Sequence, residues 1–300
     1  MSVDSSVDLS VAPALTAARA VQPIPARRWL WLSIAAAVLA GAGSVLALAV
    51  EGTYGALTQA FLPQAIAQDV ANLALAAPTL IVCAILALRG SARAHLIWLG
   101  VLAFTVYNYV IYVFSIPFGE LYPLWTAVLG LSLFAFIGGL RTLPVPGTRP
   151  GESIASRFRS ERAARVAAWV LLVVAALFAV IWLSEDVPAL FAGTPQPSSV
   201  DMDVPTNPVH TLDYIFFLPS AIIVGTGLLR GRSFAYPATA AFLVFMVFTA
   251  IPILLTPFVQ AVIGQTPAWI LLAPIGVLGL VMLGSVTWLL TTITRPVAAS

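Results

Sequence analysis

The chain of 300 residues contains no lysine, and its 14 positive charges are all arginine. Charged residues make up only 9% of the sequence, whereas hydrophobic residues make up 60%. Soluble domains carry about 25% charged residues, so this composition excludes an ordinary soluble protein. The formal net charge of +2 is too small to indicate nucleic-acid binding. The absence of lysine also excludes a retinal Schiff base, which needs a lysine amine.

Cysteine is nearly absent as well, because Cys83 is the only one and it lies in an apolar run. A disulfide framework within the chain is therefore excluded, and the redox compartment stays open. The sequence also lacks a glycine-rich phosphate loop and the motifs GxSxG, HExxH and CxxC. Its two histidines, His95 and His210, are predicted at opposite faces of a membrane. We therefore expect no cofactor and no metal site.

Long apolar runs dominate what is present, and runs of about 18 or more residues are long enough to cross a bilayer. They lie at 29–50, 70–88, 95–115, 121–140, 166–183, 212–229, 234–256 and 268–291. The sequence therefore predicts an all-α, polytopic membrane helix bundle with eight transmembrane helices, whose first partner is the lipid bilayer. For the first run the alternative is a cleaved signal peptide, because Arg27 and Arg28 precede it and residues 47–49 imitate a cleavage site.

The arginines test this number of spans independently. If the N-terminus is cytoplasmic, all 14 arginines fall in cytoplasmic segments, as the positive-inside rule requires. The charged residues on the opposite side are all acidic: Glu51, Asp69, Glu120, Glu185, Asp186, Asp201, Asp203 and Asp213. Because one missed or extra span would break this separation, we predict eight spans with both termini in the cytoplasm.

Two parts of the chain match each other at a constant offset of 141 residues. The matched pairs are Asn72 and Asp213, Pro78 and Pro219, Arg89 and Arg230, Gly90 and Gly231, Val101 and Phe242, and Phe104 and Phe245. Glu51 and Glu185 match at an offset of 134, because the second half has a longer loop. Each half contains an even number of spans, so we predict two parallel four-helix repeats. Such membrane proteins tend to place a binding site between their repeats.

These features divide the chain into four parts. We predict a disordered cytoplasmic tail at 1–28, a first four-helix membrane repeat at 29–140, a basic cytoplasmic linker at 141–165, and a second four-helix membrane repeat at 166–295. The linker carries six arginines. They either fix orientation during insertion or lie on a basic surface helix, from Ser153 to Arg165, that anionic lipid attracts.

The first candidate site is a group of polar residues at the outer ends of the second and sixth spans: Glu51, Asn72, Glu185, His210 and Asp213. One interpretation is an acidic vestibule that binds a cation or a small solute. The other is a set of ordinary polar residues at the interface, where acids near helix starts suit the helix dipole. The symmetric placement favours the vestibule, because a polar residue below the membrane interface needs a partner.

A second candidate, Asn108, lies with Tyr107 about 10–12 Å inside the third span. We expect Asn108 to face the bundle, where it either lines a polar cavity or bonds a neighbouring helix. Tyr112, Tyr122 and Trp125 are interpreted as an aromatic belt at the membrane interface.

Prolines inside the spans form a third signal. Pro78, Pro219, Pro252 and Pro274 each free a backbone carbonyl, and they kink helices in many membrane proteins. The correspondence of Pro78 and Pro219 makes these two the best hinge candidates.

The stretch NPVHTLD at 207–213 opens an apolar span, and WLSE at 182–185 precedes it. Both resemble a family of uncharacterised bacterial multi-pass integral membrane proteins with an NPVHxLD element. The resemblance covers most of the membrane part and implies no activity, substrate or site. The lysine-free, alanine- and arginine-rich composition is typical of a high-GC bacterium, so we expect the bacterial cytoplasmic membrane.

Three classes of function remain open. The first is a transporter or channel for a small solute or ion that uses the interface between the repeats. The second is a membrane enzyme or assembly subunit at the outer face, with His210, Asp213 and Glu185 as acid–base or metal groups. The third is a partner subunit without a site of its own. The small number of catalytic residue types favours the transporter or channel. The oligomeric state stays open.

Overall fold

The computed structural model describes residues 27–141, 143, 155 and 158–294. The described part is all-helical and contains eight helices long and apolar enough to cross a membrane. These are spans 1 to 8 in chain order: Arg27–Ala49, Leu62–Leu88, Ala92–Ser115, Tyr122–Leu140, Glu161–Ala192, Pro208–Leu229, Ala235–Val262 and Trp269–Thr291. A short helix, Pro197–Met202, lies between spans 5 and 6. The predicted eight-helix membrane bundle is confirmed.

Spans 2 and 5 are longer than the apolar runs that predicted them. Span 2 begins at Leu62, so Asp69 lies inside a helix and not in the preceding loop. Span 5 continues to Ala192, so Glu185 and Asp186 are also helical. The polar residues at these ends therefore belong to the spans themselves, where a bundle can bury them.

The two ends of span 5 carry clear local signals. The Ser160 hydroxyl accepts a hydrogen bond from the backbone N–H of Ala163 and so caps the first turn. Gly193 takes the left-handed conformation that ends many helices. Residues 161–165, predicted as linker, form the first turn of this span. The rest of the predicted linker and the tail lie largely outside the described residues.

Spans 2 and 6 each contain one π-helical turn just before a proline. The π-helical turns are Asn72–Ala76 and Asp213–Phe217, followed by the α-helical segments Ala77–Leu88 and Leu218–Leu229. Proline lacks an N–H, and its ring collides with the carbonyl four residues earlier, so a wider turn relieves the clash. Pro78 and Pro219 occupy the same place after these turns. The two segments match at the offset of 141, whereas superposition of the whole halves stays a prediction.

The charges of the described residues separate along the bundle. The described arginines lie at or next to the starts of the odd-numbered spans and the ends of the even-numbered ones. The side chain of Arg93 donates hydrogen bonds to the carbonyls of Thr291 and Ile293, which joins the start of span 3 to the end of span 8. We call the end of the bundle that carries the described arginines the arginine end, and the opposite end of the bundle the acidic end. The side that each end faces stays a prediction.

Within each half, the four spans contact one another in the same cyclic order. Spans 1 and 3 each contact spans 2 and 4, and spans 5 and 7 each contact spans 6 and 8. Spans 3 and 7 make the main contact between the halves, and the first part of span 2 also contacts span 7. Gly100 allows this close approach, because a Cβ there would collide with the Ala241 carbonyl oxygen and the Val244 side chain.

Candidate functional site

Asp213 is a buried carboxylate at the first position of the π-helical turn in span 6. Its Oδ1 accepts a hydrogen bond of 2.9 Å from the Tyr107 hydroxyl, and its Oδ2 accepts one of 2.8 Å from Trp182 Nε1. Trp182 belongs to span 5 of the same half, whereas Tyr107 belongs to span 3 of the other half. Asp213 therefore links the two halves through a partly buried hydrogen bond.

A cavity of about 90 Å³ lies beside Asp213 among spans 5, 6, 7 and 8. Five aromatic side chains line it: Tyr107, Phe178, Trp182, Phe217 and Phe245. The other lining residues are apolar except for Thr249, whose hydroxyl donates to the Phe245 carbonyl at 3.0 Å. We call this space the Asp213 cavity, because Asp213 supplies the only carboxylate among its lining residues.

The Asp213 carboxylate forms no ion pair in the part of the chain that the structure describes. The one pair found there joins His210 to Asp186. An ionised carboxylate offers about four lone-pair positions to donors, and Tyr107 and Trp182 occupy two of them. A ligand in the cavity that carries a donor or a positive charge therefore lies beside a carboxylate that can accept further hydrogen bonds.

A second polar network supports Trp182 from its other side. His210 is buried, and its ring centroid lies 4.1 Å from that of Trp182. Its Nδ1 lies 3.0 Å from Asp186 Oδ1. Asp186 also accepts hydrogen bonds of 2.7 Å from the Tyr214 hydroxyl and from Gln196 Nε2. Trp182 is thus held between His210 and Asp213, which fixes the orientation of its N–H.

Glu185, Asp186 and His210 also meet the distance requirement for a metal site. One donor atom from each lies within 4.8 Å of the others, and this is the one such group found among the described residues. However, Glu185 Oε1 accepts a hydrogen bond of 2.9 Å from the backbone N–H of Ser198. Since Asp186 is also bonded by neutral donors, this group is complete as a hydrogen-bond network without an ion.

A second carboxylate, Asp69, is buried in span 2 near the acidic end. Its Oδ1 accepts hydrogen bonds from the Ser44 hydroxyl at 2.8 Å and the Tyr112 hydroxyl at 3.1 Å, and its Oδ2 accepts one from the Tyr54 hydroxyl. Burial, together with the adjacent Asp69, raises the pKa of Tyr54 far above its usual value. Tyr54 therefore stays protonated and keeps donating to Asp69.

Tyr54 also lines a larger cavity of about 470 Å³ at the acidic end. Glu51, Thr53 and Glu120 line the same cavity, which lies where span 1 ends and spans 3 and 4 are connected. We call it the acidic vestibule. A vestibule with acidic groups is therefore present, but Glu51 is the only one of the predicted site residues that lines it.

The predicted site residues do not converge on one place. Glu51 lies in the acidic vestibule and Asp213 in its own cavity, while Glu185 and His210 meet beside Asp186. Asn72 Oδ1 accepts hydrogen bonds from Asn108 at 3.4 Å and from Gln68 at 3.3 Å. Of the two interpretations of Asn108, the structure thus shows the bond to a neighbouring helix.

The aromatic-belt interpretation is wrong for two residues. Tyr112 and Trp125 are 2% and 3% exposed, and their rings contact each other at 5.2 Å between centroids. Tyr112 is a partner of Asp69, which the sequence placed in a loop because the apolar run begins at residue 70. Pro63 is the signal that could have corrected this, because proline favours the first turn of a helix and is here the second residue of span 2.

Comparison with protein-family models, curated proteins and solved structures gives no match for this chain. The function is therefore inferred from the geometry of these buried groups and cavities.

Proposed function

We propose that the chain is a transporter or channel for a small solute or ion in the bacterial cytoplasmic membrane, with both termini in the cytoplasm. The observation that carries this proposal is the buried Asp213 carboxylate, which adjoins a cavity and is bonded by side chains from both halves. Ionisable residues within transmembrane segments are costly, and they commonly mark the path of a substrate or ion. The coarser conclusion, a multi-pass membrane protein, rests on the eight spans.

The cavity lies mainly inside the second half, and Tyr107 is its one lining residue from the first half. The proposed binding site is thus at the edge of the interface between halves and not midway along it. A ligand that contacts the Asp213 carboxylate shares it with Tyr107 and so weakens the hydrogen bond that joins the halves here. Ligand binding can then shift the balance between two arrangements of the halves, because the ligand contacts them differently.

Interrupted helices supply a place for this rearrangement. Substrate sites of many transporters lie at broken helices whose backbone is not fully α-helical. Asp213 is itself the first residue of such a turn, and Pro219 follows the turn directly. A change in the turn therefore moves the carboxylate relative to Tyr107 and the cavity.

The test is a flux assay on purified protein in liposomes, with a panel of inorganic cations, organic cations and neutral solutes. We expect transport of at least one member of the panel and loss of this transport in the Asp213→Asn variant. Asparagine should be tolerated at this position, because Asn72 occupies the matched position in the first half. Asp69→Asn is the matched control, because it removes the other buried aspartate in the spans and leaves the Asp213 cavity unchanged. Absence of flux for the whole panel, or equal flux in Asp213→Asn, would refute the proposal.

A second candidate is a membrane enzyme or assembly subunit with a site at the acidic end. The proximity of Glu185, Asp186 and His210 favours it, because these groups have the spacing of metal ligands. Zinc binding measured by calorimetry on native protein, and on His210→Ala, tests this candidate directly. Stoichiometric binding that His210→Ala abolishes would support it, and no binding would leave the hydrogen-bond network as the role of these residues.

A further inference from the structure

We propose that the Asp213 cavity binds a small organic ammonium cation. This inference rests on the proposed function, because it names the substrate class for the same cavity. Three properties of the cavity lead to it: the charge of its one carboxylate, the aromatic rings that line the cavity with it, and the shortage of other side-chain oxygen atoms.

The charge of the Asp213 carboxylate favours a cationic ligand. Asp213 is buried, and within the described ranges of the chain only the neutral donors Tyr107 and Trp182 bond to it. Two of its roughly four acceptor positions stay open to a ligand. A buried carboxylate gains most from a partner that brings positive charge, because the low dielectric of the site strengthens their attraction. An anion would be repelled, and a neutral solute would leave the charge without compensation.

The aromatic lining favours an organic cation. The five rings contact one another in a row. The distances between ring centroids are 5.5 Å for Trp182 and Phe178, 5.9 Å for Phe178 and Phe217, 6.3 Å for Phe217 and Phe245, and 5.5 Å for Phe245 and Tyr107. Aromatic faces attract cations within about 6 Å, and tryptophan does so best. Recognition of quaternary ammonium groups commonly uses such rings. The rings also bury the methyl groups of an alkylammonium ion.

The same lining disfavours a hard metal ion. Calcium needs about six to eight oxygen ligands, and magnesium about six in octahedral geometry. The lining side chains offer the Asp213 carboxylate and the hydroxyls of Tyr107 and Thr249, of which the Thr249 hydroxyl already donates to a carbonyl. An ammonium ion needs fewer oxygen ligands than a metal ion does. A primary ammonium ion has only three N–H donors to satisfy, and a quaternary one is covered by methyl groups that pack against aromatic rings.

The size of the cavity limits the ligand to a small one. The cavity volume of about 90 Å³ is several times the roughly 10–15 Å³ of cavity space that a single water molecule needs, so the cavity holds a ligand of a few non-hydrogen atoms. Methylammonium and tetramethylammonium are therefore the appropriate probes.

Calorimetry on purified, detergent-solubilised protein tests the inference without any substitution. The ligands are tetramethylammonium, potassium, and tert-butanol, a neutral molecule with the same number of non-hydrogen atoms as tetramethylammonium. We expect tetramethylammonium to bind at least about tenfold more tightly than tert-butanol, as the loss of a charged contact implies. Equal binding of the two, stronger binding of potassium, or no binding of tetramethylammonium would overturn the inference.

Variants then locate the site. Asp213→Asn should weaken tetramethylammonium binding at least about tenfold, and Trp182→Leu should weaken it as well, because it removes both a ring and a donor. Asp69→Asn should bind as the native protein does. Gel filtration and circular dichroism establish that each variant is folded. Native affinity in a folded Asp213→Asn variant would contradict the proposed site.

Flux of radiolabelled tetramethylammonium into liposomes separates this inference from the proposed function. Selective binding without flux of tetramethylammonium or of any other member of the solute panel supports the cation site and refutes transport. Flux of a different solute without ammonium binding refutes the cation site and leaves transport standing.

Discussion

Asp69 and Asp213 are the same residue type in similar helical positions, but their surroundings give them different roles. Asp69 accepts from three hydroxyl groups, so its hydrogen bonding is largely satisfied within the protein. Asp213 accepts from two donors and adjoins a cavity. We therefore assign Asp69 to stability and Asp213 to ligand binding.

Substitution of Tyr54 by phenylalanine tests the structural role of Asp69. Tyr54→Phe removes one of three donors to a buried carboxylate, so we expect a loss of about 1–3 kcal/mol in the free energy of unfolding. Because burial raises the pKa of Tyr54 far above its usual value, the hydroxyl of the native protein stays protonated and keeps donating up to pH 9. Unfolding in detergent, followed by circular dichroism, measures the loss, and unchanged stability would show that the hydroxyl is dispensable.

At the scale of elements, spans 2 and 6 differ from ordinary transmembrane helices by their π-helical turns. Each turn precedes a proline at the matched position, so the proline is the physical cause that both share. Only the turn in span 6 carries a carboxylate beside a cavity. The two prolines are therefore a matched pair in which one is predicted to affect function.

We expect Pro219→Ala to lower flux or ligand affinity severalfold, because the restored N–H allows an α-helical turn that moves Asp213 away from Tyr107 and Trp182. Pro78→Ala should leave both almost unchanged. The measurement is the liposome flux assay together with tetramethylammonium calorimetry. Equal effects of the two substitutions would show that the turn in span 6 has no special role.

At the scale of the whole molecule, the halves meet closely along spans 3 and 7. Gly100→Ala should destabilise the protein by about 1–3 kcal/mol through overpacking, because the added Cβ collides with the Ala241 carbonyl oxygen. Gly130→Ala is the control, since a Cβ at Gly130 in span 4 meets no atom within 4 Å. Thermal unfolding in detergent compares them. If the Gly100→Ala variant is as stable as the control, spans 3 and 7 do not approach each other as closely at Gly100 as described.

The orientation of the bundle is testable by chemical labelling. In a Cys83→Ala background, Thr194→Cys at the acidic end and Ser156→Cys in the linker should react with a membrane-impermeant reagent from opposite sides. The reason is the separation of arginines from acidic residues, which predicts a cytoplasmic arginine end. Labelling of both positions from the same side would contradict the eight-span topology.

The sequence by itself determined the number of spans, the segregation of charge and the paired positions of Pro78 and Pro219. The first two depend on hydropathy and charge along the chain, which lipid and water sort without reference to distant residues. The paired prolines follow from the match between the two parts of the sequence. It also marked Asp213 as a polar residue that needs a partner, although the proposed partners Asn72, Glu51, Glu185 and His210 were not the ones found.

Only the tertiary structure decided which side chains supply those partners. Trp182 lies 31 residues from Asp213 along the chain, and Tyr107 lies 106 residues away in the other half. The Asp69 network likewise joins Ser44 and Tyr112, which are 25 and 43 residues distant. Such contacts depend on how the helices rotate and cross, and many nearly equivalent apolar surfaces leave that choice open in the sequence. Packing against neighbouring helices therefore set the cavity, its aromatic wall and the two different environments of the aspartates.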